Sequence, residues 1–140
     1  MAIVGFNFTK INGEKKEAPK GKINVKNNVE IKSVEKTDLS LGSSKQKGLK
    51  IKFEFKSVYD PKVGEILLAG EVFDLEEEKI IQDVLKKWKS DKKLPDDMTK
   101  LVVNAILSRS NIQALVISKE LALPPPIPLP KVGQQPVKQG

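Results

Sequence analysis

Residues 49–75 read LKIKFEFKSVYDPKVGEILLAGEVFDL, and this stretch constrains the fold more tightly than any other in the chain. Leu49, Ile51, Phe53 and Phe55 alternate strictly with lysine and glutamate, the period of two that marks a strand with one wet face. Tyr59 to Gly64 supplies turn residues around Asp60-Pro61, and Ile66 to Phe73 returns, so the stretch predicts an antiparallel hairpin. The returning strand is different in kind. Ile66, Leu67, Leu68, Ala69, Val72 and Phe73 place apolar groups on both faces, which predicts a strand that is central or covered twice. Gly70 within it permits a bulge or the close approach of a helix.

Downstream of the hairpin the period lengthens to that of a helix. Asp74 is placed to cap it, Glu76, Glu77 and Glu78 fall in its positive first turn, and Ile80, Ile81, Val84, Leu85 and Trp88 form one stripe. A linker from Ser90 to Leu94 leads to Pro95, Asp96 and Asp97, the start of a second helix. That helix is expected to run to about residue 108, with Ser110-Asn111 breaking it or capping a continuation toward Leu121. It is unusually apolar all round. Leu101, Val102, Ala105, Ile106 and Ser108 make one stripe, while Val103, Leu107, Ala114, Val116 and Ile117 load the other side, more surface than a lone helix on a small sheet requires. Prolines 124, 125, 126, 128 and 130 then force an extended backbone. The Pro125/Pro128 spacing suits a proline-recognition ligand, but the segment reads better as a helix stop lying along its own domain, anchored by Ile127 and Leu129.

Upstream, Ala2, Val4, Phe6 and Phe8 alternate as a first strand, with Ile11 near its end. A polar stretch from Asn12 to Lys22 is expected to break that strand. Ile23, Val25, Val29 and Ile31 form a second, with a bulge or tight turn at Asn27-Asn28. Leu41 to Gly48 reads as a small charged loop. The elements amount to an α+β domain over residues 1–130: a four-stranded antiparallel sheet with helices packed on one face. Residues 131–140 form a polar tail of disordered composition.

Composition limits the chemistry. Among 140 residues there is no cysteine and no histidine, which removes thiol nucleophiles, imidazole bases and the usual zinc and haem ligand sets, so neither an enzyme nor a metal or cofactor is expected. The acidic groupings at Glu76–Glu78 and Asp96-Asp97 sit at helix starts, where the dipole and open amides account for them. The formal net charge is +7, but Arg109 is the one arginine, and sequence-reading nucleic-acid modules lean on arginine for bidentate contacts. The apolar runs fall short of membrane-spanning length, and with no signal-peptide pattern and no cysteine the expectation is a cytoplasmic protein. Two Phe-x-Phe pairs, Phe6/Phe8 and Phe53/Phe55, read as sheet core or as the lining of an exposed groove.

In order and pattern these pieces resemble the SecB export-chaperone fold and its archaeal relatives. The segments carrying the resemblance are FNFTKI at 6–11, the triplet Glu17-Ala18-Pro19, the hairpin at 49–75, ILSRSN at 106–111 and LALPPPIPLP at 121–130. The resemblance implies a holdase that binds unfolded or export-bound polypeptides without ATP, assembled as a homodimer or homotetramer. By position it places Phe6, Phe8, Met98, Leu101, Val102, Ala105 and Ile106 at subunit interfaces. Leu121, Leu123, Ile127 and Leu129 border a client groove, to which Phe53 and Phe55 are candidate contributors. The chain departs from bacterial members in being basic rather than acidic and in ending without their last helix. The other readings of its apolar surface are a structural or adaptor module in a larger assembly and a lysine-driven nucleic-acid binder.

Overall fold

A computed structural model describes residues 2–18 and 21–128. Leu129, Pro130 and the tail expected at 131–140 lie outside the described residues. Four long strands, β1 (Ala2–Lys15), β2 (Asn24–Leu41), β3 (Ser44–Asp60) and β4 (Gly64–Leu75), are followed by two helices, α1 (Glu78–Asp91) and α2 (Asp96–Glu120). All neighbours are antiparallel in the order β1-β4-β3-β2, so the chain crosses the sheet once, from β1 at one edge to β2 at the other.

The predicted hairpin is the centre of this sheet. Leu49, Ile51, Phe53, Phe55 and Tyr59 of β3, with Ile66, Leu68 and Val72 of β4, are buried under the helices. β4 takes the central position its apolar sequence suggested, but it is covered on one face only. Leu67, Ala69 and Phe73 are half-buried on the other side, among cross-strand pairs such as Lys50–Glu71 at 3.8 Å and Lys56–Glu65 at 3.6 Å. At Gly70 the close approach comes from the neighbouring strands rather than from a helix: a Cβ there would lie 2.5 Å from the Asn7 carbonyl oxygen and 2.8 Å from the Phe53 ring.

Four local expectations are corrected. The first strand does not break at Asn12 but continues to Lys15. Two bulges, between Ile3 and Gly5 and between Phe8 and Lys10, shift its register, so Ile3, Phe6 and Phe8 share the helix-facing side while Val4 turns out to solvent. β2 runs straight through Asn27-Asn28, whose partners are Ser57 and Lys56, and bulges instead between Ile31 and Ser33. The loop expected at 41–48 shrinks to a two-residue turn because Gly42 adopts φ +64, the left-handed conformation a tight hairpin needs. Asp74 does not cap α1; it is the buried penultimate residue of β4, and Glu77 stands at the helix N-cap.

α2 is continuous through Ser110-Asn111. Its buried residues are Met98, Val102, Ile106, Ser110, Ala114 and Ser118, a row at a spacing of four. At 100° per residue such a row rotates by about 40° per step, hence by about 200° from Met98 to Ser118. α2 touches all four strands, and each strand is rotated against the last by the sheet's twist. A helix lying across that surface must present a turning face. This is why its apolar residues appear on every side in sequence, and why small Ser110 and Ala114 occupy the inner row. By length and composition α2 is apolar enough to cross a membrane, contrary to the sequence expectation; in this fold the inner row lies on the sheet as core.

Candidate functional site

The two sequence-derived residue sets divide between the interior and the surface. Phe53 and Phe55 are 1% and 0% exposed and belong to the core beneath α2. Phe53 joins Phe6 and Phe8 in an aromatic cluster with ring centroids 5.0 Å apart for Phe6–Phe8 and 5.3 Å for Phe6–Phe53. The guanidinium of Arg109 lies 5.0 Å from the Phe6 ring, covering its outer face. Met98, Val102 and Ile106 point into the sheet and are at most 3% exposed. Leu101 is exposed and Ala105 half-buried, on the outer side.

The segment after α2 lies on its own domain at one end of the sheet. Leu121 stands over Gly13 of β1, where an added Cβ would come 2.5 Å from Ile117 and 3.0 Å from Leu121. Leu123 is buried beside Tyr59 and Val63. The Tyr59 hydroxyl, whose pKa burial pushes up to about 12, donates to the Pro124 carbonyl at 2.6 Å. The Asn27 side-chain amide donates to the Pro126 carbonyl at 2.8 Å while its oxygen accepts from Ser57 at 2.6 Å. From β1 to β2, this strap crosses the sheet end from edge to edge. Ile127 is half-buried on it, and Leu129 is outside the described residues.

Two features are left open to a partner. The first is an outer row on α2: Leu101, Ala105, Ile112 and Val116 lie at helical spacings on one side, and Ile112 is 63% and Val116 51% exposed. Ile11, 52% exposed, is on the helix-facing side of β1 by its register with Leu68, on the edge that Ile117 and Arg109 approach. The second is a cleft of about 620 Å³ at the opposite edge. Its walls are Val29–Lys32 of β2, Trp88 of α1, the connection Lys92–Leu94, and Asp96 and Thr99 of α2. The connection is held in place by structure on both sides: Lys92 closes α1 in the left-handed conformation at φ 58, and the Thr99 amide and hydroxyl both bond to the Pro95 carbonyl. Lys36 grips the first turn of α1 through Glu78 at 2.6 Å, which raises the lysine pKa and lowers that of the carboxylate.

The cleft escaped the sequence reading. Its residues are scattered from position 29 to 99, and the one local signal was Trp88, read there as the end of a buried stripe and found half-buried in the cleft wall. Among the described residues no group of three or more acidic side chains is placed to hold a metal ion. The acids at the helix starts have structural partners or positions: Glu78 bonds Lys36 and Gln82, and Asp96 and Asp97 occupy the first turn of α2.

No family model matches the sequence, and no curated protein does. Among solved structures the chain is similar to a SecB-like chaperone of Mycobacterium tuberculosis in complex with a ChAD peptide from an antitoxin. The TM-score is 0.58 and the identity 11%, over 93% of this chain and 89% of that one. At that identity the likeness establishes a SecB-like α+β fold; it carries nothing about archaeal relatives.

Proposed function

We propose that this protein is an ATP-independent holdase that binds apolar segments of non-native or export-bound polypeptides. The observation that carries the reading is the cleft of about 620 Å³ along the β2 edge, walled by the half-buried Trp88 and open to an extended chain. Its volume is that of a ligand site, and its walls combine the apolar Val29, Ile31, Trp88 and Leu94 with five charged side chains. The fold likeness to a chaperone solved with a peptide supports the same reading. Nothing in the proposed action calls for catalysis or a cofactor, and its setting is the cytoplasm, where export-bound chains are held before translocation.

The second part of the proposal is assembly. The outer row of α2 and Ile11 of β1 expose apolar side chains suited to contact with further copies, in a homodimer or a homotetramer. Leu101 and Ala105 keep their proposed interface role on this row. Met98, Val102 and Ile106 act through the shape of α2, because they are already covered by their own sheet. An adaptor module is the alternative, and the straightness of this outer row, which suits one fixed partner better than many, is what favours it.

Light scattering from an aggregating client decides between them. A holdase suppresses aggregation at a few subunit equivalents without ATP; absence of suppression there would sink the proposal. Mass in solution tests the assembly, and a strict monomer would remove it.

A further inference from the structure

The cleft is walled by four successive residues of β2, Val29, Glu30, Ile31 and Lys32. Successive side chains of a strand point to opposite faces, so a cavity touching all four faces the edge of the strand rather than either side of the sheet. β2 is the last strand in the order β1-β4-β3-β2, and its other edge is paired to β3. On the edge with which no strand among the described residues pairs, every second residue turns its N–H and C=O outward, a template for a further strand. The bulge after Ile31 interrupts the ladder there and limits such pairing to a short segment.

The same wall carries a charge preference. Lys32, Lys92 and Lys93 line it against Glu30 and Asp96. Lys32 is already engaged by Glu30 at 3.4 Å and Glu54 at 4.0 Å, which leaves Lys92 and Lys93 facing Asp96 in a chain of net charge +7. The Lys92 ammonium lies 5.7 Å from the centre of the Trp88 ring in the cleft wall. The two carboxylates in the wall make it a poor seat for a run of phosphates, whereas a polypeptide can place an acidic residue against Lys92-Lys93 and apolar residues against Trp88, Val29 and Ile31.

Building on the holdase reading, we propose that clients enter as an added antiparallel or parallel strand on the β2 edge, and that the preferred segments are apolar runs flanked by aspartate or glutamate. Trp88 is the single tryptophan and reports occupancy directly. The test titrates the intact protein with short synthetic peptides that share one apolar core. One is flanked by glutamates, one by lysines, and a third is the glutamate peptide with alternate backbone nitrogens methylated. Expected is a roughly threefold to tenfold tighter binding of the glutamate form at low salt, closing at about 0.5 M salt where the Debye length is only a few ångströms. Methylation removes donors from the ladder and is expected to weaken binding about tenfold or more. The exposed pair Lys92→Gln with Lys93→Gln is expected to erase the flank preference while leaving the circular dichroism spectrum unchanged.

Equal affinity for both flanks overturns the charge preference, and full affinity of the methylated peptide overturns strand addition. Displacement of the peptide by a uridine oligonucleotide at stoichiometric ratio overturns the assignment to polypeptides. If aggregation of a client is suppressed while these peptide results fail, the inference falls and the holdase reading stands. If glutamate-selective, methylation-sensitive binding occurs without suppression, the edge site is supported and the holdase reading falls.

Discussion

The inner and outer rows of α2 are made of the same kinds of residue and differ in what lies opposite them. The inner row from Met98 to Ser118 winds round the helix because a twisted four-stranded sheet lies beneath it. The outer row, Leu101, Ala105, Ile112 and Val116, stays on one side, with Leu101, Ile112 and Val116 exposed and Ala105 half-buried. Hydrophobicity therefore does not distinguish core from binding surface on this helix; the path of the row does. The winding row is fitted to the twisted sheet of its own chain, and the straight one lies largely exposed on the far side of the helix.

Core substitutions should separate the two rows most sharply. Ile106→Ala removes a completely buried side chain of the core cluster that includes Phe53 and Val72, and should cost ~2–5 kcal/mol in denaturant unfolding. A loss as small as that of an exposed site would break the contrast. Gly13→Val tests how closely the end of α2 approaches β1. The new side chain meets Ile117 at 2.5 Å, so a destabilisation of ~1–3 kcal/mol is expected, partly relieved when Ile117→Ala is added.

Among the described residues one acid is buried in the helix-facing layer. Asp74 is buried on β4, and burial first, then Glu76 beside it, raises its pKa from 3.8 to about 7. A carboxyl protonated in the folded state contributes most below its unfolded pKa and loses that contribution as pH rises toward its folded one. Asp74→Asn should therefore stabilise the protein above pH 7 by ~1–3 kcal/mol, with the difference shrinking toward pH 4. A variant whose advantage grows in acid would contradict this environment for Asp74. Tyr59→Phe removes the hydrogen bond to Pro124 and leaves its carbonyl covered, for an expected ~1 kcal/mol. The smallest effect belongs to the outer row. Ile112→Ser with Val116→Ser should change unfolding by no more than ~0.5 kcal/mol while lowering the mass measured in solution. A large stability loss with unchanged mass would mean that this row is core after all.

Much of the sheet was legible because period-two alternation is local. Leu49 to Phe55 and the Asp60-Pro61 turn specify the hairpin without reference to anything distant, and the central place of β4 followed from its continuous apolar run. The bulges in β1 were not legible. Ala2, Val4, Phe6 and Phe8 alternate perfectly as text, yet pairing with β4 inserts a residue at Val4 and moves Ile3 to the core side. Ser110-Asn111 misled for a related reason: serine lowers helix propensity slightly, but a fully covered small residue at the crossing outweighs that preference. Of the candidate site residues, Phe53 and Phe55 were assigned by residue type, which cannot tell core from groove. The cleft depends on which strand ends at an edge, and no local pattern states that.

By itself, then, the sequence determined the alternating hairpin, the presence of two helices after it, the extended proline strap and the absence of histidine and cysteine chemistry. Each of these follows from backbone restrictions or side-chain inventory within a few residues. Only the tertiary structure decided which apolar face of α2 is interior and where the sheet leaves an edge open beside Trp88. Both depend on the relative placement of residues tens of positions apart, set by sheet order and twist, which short-range periodicity does not encode.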